Sequence, residues 1–205
     1  VRVFTLTGGP RLYSEFFAFA PSFTGGVHVA AADINGDGIA EVIAGAATGT
    51  PEVRIYRTVA DRAVEIARGI GIDPRANGVS VASGDVNGDG ISDLVLGAGS
   101  GVPPQVRVFS IAGGVRVIGD FFAYETAFQG GVRVAVGDVN GDGRAEVLTA
   151  PGPGRQTHPG AWAFSLDGVD FPPNAPRQIY SAGPAFGTAY LGGMVITADL
   201  FITVP

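Results

Sequence analysis

An acidic, glycine-punctuated phrase occurs three times in this chain of 205 residues and constrains its fold more than any other feature. It reads GDVNGDG at residues 84–90 and 137–143, and ADINGDG at residues 32–38. The first aspartates of the phrases are Asp33, Asp85 and Asp138, so the spacings are 52 (33 to 85) and 53 (85 to 138) residues. A fixed period of this length indicates an array of similar structural units.

The residues on both sides of the phrase repeat as well. GGVHVAAAD, NGVSVASGD and GGVRVAVGD lead into it, and AEVIAGAATG, SDLVLGAGSG and AEVLTAPGPG follow it. The start of the chain shares the pattern, because VRVFTLTGG at residues 1–9 matches VRVFSIAGG at residues 106–114. The chain therefore begins about halfway through a repeat, and we expect it to be a fragment or a processed product.

Each repeat holds four short runs rich in Val, Ile and Phe, separated by Gly, Pro and Asp turns. In the second repeat the runs are residues 79–83, 94–98, 106–111 and 115–124. Their length and composition indicate strands, and no stretch has convincing helical spacing. Several runs are apolar on both faces, which suits a sheet packed between two neighbours. The sequence predicts an all-β fold, a β-propeller with one four-stranded blade per repeat.

We expect one propeller domain over residues 1–205, and two arrangements of it remain open. Its parts are an outer half-blade at 1–22, blades with acidic loops at 23–74, 75–127 and 128–189, and an inner half-blade without the loop at 190–205. The third blade has an enlarged, Pro-rich outer part. In the first arrangement the two half-blades join into one blade and close a ring of four, with strands at 1–6, 12–19, 194–198 and 200–204. In the second arrangement the chain is an arc of a larger propeller.

The acidic phrase offers oxygen ligands at alternate positions of a tight loop. We number each loop from the first aspartate of its phrase as position 1. Side-chain oxygens then stand at positions 1, 3, 5 and 9, and glycines stand at positions 4 and 6, where a tight loop needs positive φ angles. The carbonyl at position 7 can join them, and this number of hard oxygens suits Ca²⁺ better than Mg²⁺ or Zn²⁺. The predicted metal ligands are Asp33, Asn35, Asp37, Ile39 (carbonyl) and Glu41; Asp85, Asn87, Asp89, Ile91 (carbonyl) and Asp93; and Asp138, Asn140, Asp142, Arg144 (carbonyl) and Glu146.

This loop differs from an EF-hand, which closes with a Glu at position 12 and lies between helices. Position 12 is Ala44, Leu96 or Thr149 here, and the flanking segments are strands. The alternative is an acidic turn without metal. Three copies that keep every ligand position favour calcium, because three carboxylates in one loop repel each other without a cation. We expect three Ca²⁺ ions per chain.

The repeat resembles a known family. GGVRVAVGDVNGDGRAEVLTAPGPG at residues 130–154 is similar to the FG-GAP repeat, also called the VCBS or integrin-alpha-like repeat. The resemblance covers about residues 1–165. It implies a β-propeller with a calcium loop between the first two strands of each blade. It also implies a mostly extracellular protein that serves adhesion, ligand binding or architecture, or a non-catalytic module of secreted enzymes and lectins.

Composition excludes several classes of partner. The net charge of −6 and the absence of a Lys/Arg cluster argue against binding to nucleic acid or to anionic lipid. No apolar run approaches the roughly 18 residues of a membrane-spanning helix, so we expect no membrane insertion in this segment. The chain has no Cys, which excludes disulfides and cysteine-ligated zinc.

A few other residues invite a functional interpretation, and each has a plainer one. His28 occupies the position of Ser80 and Arg133 in the other repeats, so we expect a plain strand residue. His158 is expected in a turn, with a ligand contact as the alternative. The Phe pairs at 16–17 and 121–122 are expected to pack between blades, with sugar stacking as the alternative. Trp162 is either core or a sugar-stacking residue.

The leading hypothesis is a calcium-stabilised, non-enzymatic propeller module of a secreted or cell-surface protein. It would bind a protein or glycan at the cell surface, for adhesion or partner binding. The alternative is a carbohydrate-binding module attached to a secreted enzyme. A third hypothesis, catalysis by the chain itself, lacks a recognisable pocket of clustered basic and acidic residues in the sequence.

Overall fold

The structure is a computed structural model, and it describes residues 1–153, 161–166 and the backbone of the strand at 177–181. Fourteen strands and no helix occur in these residues, so the expectation of an all-β fold is confirmed. The described residues accordingly include no helix that is long and apolar enough to cross a membrane. The expectations for His158 and for residues 190–205 concern residues outside the described part of the chain.

The strands form one hairpin and three four-stranded antiparallel sheets, each with its strands in sequence order. The hairpin pairs β1 (Arg2–Thr5) with β2 (Arg11–Glu15). The first sheet contains β3 (Val27–Ala32), β4 (Glu41–Ala46), β5 (Val53–Val59) and β6 (Arg62–Gly69). The second contains β7 (Asn77–Gly84), β8 (Asp93–Ser100), β9 (Gln105–Ser110) and β10 (Arg116–Phe122). The third contains β11 (Val132–Gly137), β12 (Glu146–Pro151), β13 (Trp162–Ser165) and β14 (Arg177–Ser181).

The four runs predicted in the second repeat coincide with β7 to β10, and four-stranded antiparallel sheets are the expected building unit. The hairpin lies where the sequence predicts two outer strands. Its proposed inner partners, residues 194–198 and 200–204, lie outside the described residues. The number of blades and the closure of a ring therefore stay predictions.

Glycines in the second strand of a sheet let the next sheet approach closely. A Cβ built on Gly45 of β4 would lie 2.7 Å from a methyl carbon of Val81 on β7. A Cβ on Gly97 of β8 would lie 2.7 Å from the carbonyl oxygen of Val132 on β11. Because the first strand of each following sheet fits against these glycines, the three sheets stack in series with a shared apolar core between them.

The segment that follows the hairpin packs against the outer face of the first sheet. The ring of Phe16 lies 4.8 Å from that of Tyr56, and the Tyr56 hydroxyl donates a 2.6 Å hydrogen bond to the carbonyl of Ala18. In each Phe pair that was expected to pack between blades, only the first ring, Phe16 or Phe121, is buried or half-buried. Phe17 and Phe122 are exposed, because successive residues of an extended segment point to opposite faces.

Candidate metal centre in three acidic loops

Each acidic phrase connects the first two strands of one sheet, and the three loops lie at equivalent places in the fold. Asp33, Asp85 and Asp138 follow directly after β3, β7 and β11. Glu41, Asp93 and Glu146 are the first residues of β4, β8 and β12. The structure thus gathers the predicted residues of each phrase into one short turn, in which position 9 pairs with the residue that precedes position 1.

The two glycines of each phrase adopt the positive φ angles that the sequence predicts. In the second loop Gly88 has a φ of 78° and Gly90 a φ of 85°. The corresponding glycines of the first and third loops also have positive φ. Other L-amino acids rarely adopt this conformation, so these positions hold the chain in a tight turn.

The aspartate at position 1 is a hydrogen-bond acceptor for the backbone of its own loop. Asp33 Oδ1 accepts N–H groups from Gly36 at 2.7 Å and Asp37 at 3.2 Å, and Oδ2 accepts the N–H of Gly38 at 2.7 Å. These bonds, that from Gly38 above all, lower the pKa of Asp33. The pKa of Asp138 is lowered in the same way, chiefly by the N–H of Gly143. Both carboxylates are therefore held in the ionised form.

The acid at position 9 is buried, in contrast to the acid at position 1. Glu41, Asp93 and Glu146 are no more than 1% exposed. Burial raises the pKa of each of these carboxyls, and it raises that of Asp93 to about 6. In every loop the buried carboxylate accepts the backbone N–H of position 2, as Glu146 Oε2 does from Val139 at 2.9 Å. The sequence predicts these residues as ligands but does not predict their complete burial.

Positions 3 and 5 connect the exposed and buried parts of the loop. Asn35 Oδ1 accepts the N–H of Asp37 at 2.9 Å, while Asn35 Nδ2 donates to Glu41 Oε1 at 2.9 Å. The same pair of contacts recurs at Asn87 and Asn140. A side-chain amide oxygen therefore lies beside the carboxylates of each loop.

The three loops differ in their compensation of negative charge. Asp37 lies 2.8 Å from Nη2 of Arg57, which makes one ion pair in the first loop. Ser110 and Ser165 stand at the equivalent position in the other repeats. Within the described residues, none of the six carboxylates of the second and third loops lies within ion-pair distance of a basic side chain. Among the described residues, no ion pair therefore offsets the three acids of the second or of the third loop, although the side chain of Arg144 lies over Gly88 of the second loop.

Neighbouring loops are also joined to each other. The N–H of Ser92 donates to the carbonyl of Asp33 at 3.2 Å, and the N–H of Ala145 donates to the carbonyl of Asp85 at 2.9 Å. The side chain of Ile91 lies over Gly36, and that of Arg144 lies over Gly88. The loops consequently form a continuous series along one end of the sheets.

The donor set of each loop fits a hard cation, although the side chains are not gathered around one point. Across the residues that the structure describes, no three Asp, Glu or His side chains converge as a ready-made metal cluster. Their oxygens instead accept backbone N–H groups and side-chain amides. Carboxylate, amide and carbonyl oxygens in a glycine-containing turn are nevertheless the ligands that Ca²⁺ takes in proteins. Two loops whose three acids form no ion pair with the described residues agree with such a cation.

Two protein-family profiles match the chain, and both cover the acidic loops. A profile described as an FG-GAP-like repeat matches residues 33–96, which include the first and second loops. A profile described as an FG-GAP repeat matches residues 130–161, which include the third. No curated protein matches the chain.

Proposed function

This chain is an FG-GAP-type repeat protein, and from that premise we propose that it is a calcium-stabilised, non-enzymatic module of a secreted or cell-surface protein. FG-GAP repeats are found in adhesion and partner-binding modules. The proposed module has a propeller-type fold and binds a protein or glycan partner at the cell surface. Its loops hold three Ca²⁺ ions.

The observation that carries this proposal is the unbalanced charge of the second and third loops. Each has three carboxylates in one turn, one of them almost fully buried, and no basic side chain of the described residues pairs with them. Burying a carboxylate in its charged form is costly unless an opposite charge lies close to it. Ca²⁺ supplies that charge when bound. Positions 1, 3, 5 and 9 and the carbonyl of position 7 are the residues that would hold it.

The proposed role of calcium is to stabilise the sheets and not to switch their shape. Each loop joins two strands that are already paired along their whole length. The described residues include no pair of helices, whereas calcium sensors of the EF-hand type respond by opening such a pair. Binding to the folded state alone stabilises it by about 2.7 kcal/mol per site at 100 times the Kd.

Thermal unfolding tests this role. We expect the melting temperature to be markedly higher in CaCl₂ than in chelator, because calcium binds only the folded loops. The circular dichroism of the β-sheet should change little at low temperature. MgCl₂ at the same ionic strength is the control, and it should stabilise much less. Equal melting temperatures in calcium, magnesium and chelator would remove the support for calcium stabilisation.

A second candidate is a carbohydrate-binding module attached to a secreted enzyme. Two exposed rings favour it: Phe17 is 75% exposed and Phe122 is 53% exposed, and they occupy equivalent positions in two repeats. Exposed aromatic rings can stack on sugars. Trp162, the other sugar-stacking candidate, is half-buried, with its ring 5.2 Å from that of Tyr124. A glycan array separates the candidates: binding that is lost in the double variant Phe17→Ala, Phe122→Ala supports the carbohydrate module.

A further inference from the structure

The three sheets surround a cavity at the end opposite the acidic loops. Its volume is about 400 Å³. It is lined by the beginnings of β3, β7 and β11 and by the residues that end or follow β4, β8 and β12. The acidic loops lie at the other ends of these strands. This cavity is therefore separate from the proposed calcium sites, and its size falls within the range of small-molecule sites.

Equivalent positions of the three repeats meet at this cavity with different side chains. His28, Ser80 and Arg133 are each the second residue of the Val-x-Val run in their repeat, and all three line the cavity. Arg133 Nη1 lies 3.4 Å from His28 Nε2, although the two residues are 105 positions apart in sequence. His28 lies in strand β3, as the sequence predicted, and its ring is also part of a polar cluster with Arg133.

The hydrogen bonds of His28 determine its role toward Arg133. His28 Nδ1 lies 2.8 Å from the carbonyl oxygen of Val79, which can only accept a hydrogen bond. Nδ1 therefore carries the proton, and in the neutral ring Nε2 is the acceptor that faces Arg133. A guanidinium nitrogen donates to that acceptor. This orients the Arg133 side chain but gives it no negative charge.

Arg133 lacks the partners that a partly buried guanidinium normally has. It can donate five hydrogen bonds, and the contact with His28 is the one that the described residues provide. Its Nε atom is buried without an acceptor, and no carboxylate of the described part of the chain pairs with it. Among the described lining residues there is also no Asp or Glu. A half-buried cation whose buried Nε has no acceptor favours an anion from outside the chain.

We propose that this cavity binds a small carboxylate ligand, with Arg133 as its anchor and His28 as the residue that positions Arg133. A planar carboxylate matches the guanidinium fork and accepts two of its donors. The hydroxyls of Thr48 and Ser80 add polar groups to the wall. The described part of the lining has no Phe, Tyr or Trp side chain, which disfavours a neutral sugar held by stacking.

Calorimetric titration of the 205-residue chain with sodium glucuronate, N-acetylaspartate and acetate tests the proposal, with glucose as the uncharged control. We expect saturable binding of at least one carboxylate, and none of glucose, in about 0.15 M NaCl, where nonspecific surface charge is screened. The comparison of glucuronate with N-acetylaspartate shows whether the source is a sugar acid or an acidic residue. Binding should persist in chelator, because the acidic loops lie elsewhere.

Two variants of Arg133 and one matched control assign the binding to the cavity. Arg133→Ser introduces the residue that the second repeat has at this position, so the strand is expected to tolerate it, and binding should weaken at least about tenfold. Arg133→Lys keeps the charge without the fork and should weaken binding less than the serine variant does. Arg62→Ser removes an exposed charge from β6 and should leave binding unchanged. Absence of any carboxylate binding, or equal binding by the parent and both Arg133 variants, would overturn the proposal.

Discussion

At the residue scale, the acid at position 9 is the most constrained side chain of each loop. It is the first residue of a fully buried strand segment, and it accepts a backbone N–H and a side-chain amide. The other two acids of the loop are nearer the surface. A site with one buried and two outer carboxylates explains how a short turn can be closed by hydrogen bonds and still have negative charge available for a cation.

Asp89 offers a clean test of this arrangement, because it forms no ion pair among the described residues and accepts one backbone N–H, from Ile91 at 2.9 Å. Asp89→Asn keeps the oxygen but removes a charge. We expect calcium affinity at one of the three sites to fall by about tenfold or more, since affinity depends on ligand charge. Calorimetric titration measures the three sites together, and the other two should change little.

The matched control for Asp89→Asn is Asp61→Asn, an exposed residue in the turn between β5 and β6 with a φ of 66°. Asn tolerates that conformation, so the substitution removes the same charge at no conformational cost. It should leave all three sites unchanged. A loss of all three sites in the Asp89 variant would show that the hydrogen bonds between neighbouring loops couple their affinities.

At the element scale, the sequence predicts strands and loops well but not their contacts. Runs rich in Val and Ile between Gly and Asp turns are local signals, and β7 to β10 lie where the second repeat places them. The contacts between sheets are not local. The meeting of His28 with Arg133 and the hydrogen bond from Ser92 to Asp33 depend on how successive repeats stack, which the sequence pattern alone does not specify.

The close approach of neighbouring sheets predicts a strong effect of one added methyl group. Gly97→Ala would place a Cβ 2.7 Å from the carbonyl oxygen of Val132, so the second and third sheets would have to separate. We expect a loss of about 1–3 kcal/mol in the free energy of unfolding, measured by chemical denaturation. Gly69→Ala in β6 is the control, because its Cβ would meet no atom within 4 Å. Equal stability of the two variants would contradict the stacking of the sheets through Gly97.

At the scale of the whole molecule, the first sheet differs from the others in having an uncovered inner strand. Val81 and Val134 are each 7% exposed because they pack against the preceding sheet. Val29 occupies the same position in the first repeat and is 56% exposed. The hairpin and its following segment pack against β4, β5 and β6 of the first sheet. The exposed face of β3 is where a neighbouring unit of a larger propeller, or residues 190–205 in a closed ring, would pack.

We expect Val29→Asp to cost less than about 1 kcal/mol in the free energy of unfolding, as for an exposed strand residue. Val134→Asp should cost more than about 3 kcal/mol, because it buries an unpaired charge. Chemical denaturation of both variants measures the difference. Comparable large losses in the two would mean that the face of β3 is covered in the folded chain, which would favour the closed ring over the open arc.

The most direct test of the central claim is the number of calcium ions bound per chain. The 205-residue protein, stripped of metal by a chelator and dialysed, can be titrated with CaCl₂ by calorimetry and checked by elemental analysis after equilibration. Three loops with the same five ligand positions predict a stoichiometry near three. A value near zero, with the protein folded, would contradict the proposal that the acidic loops are calcium sites.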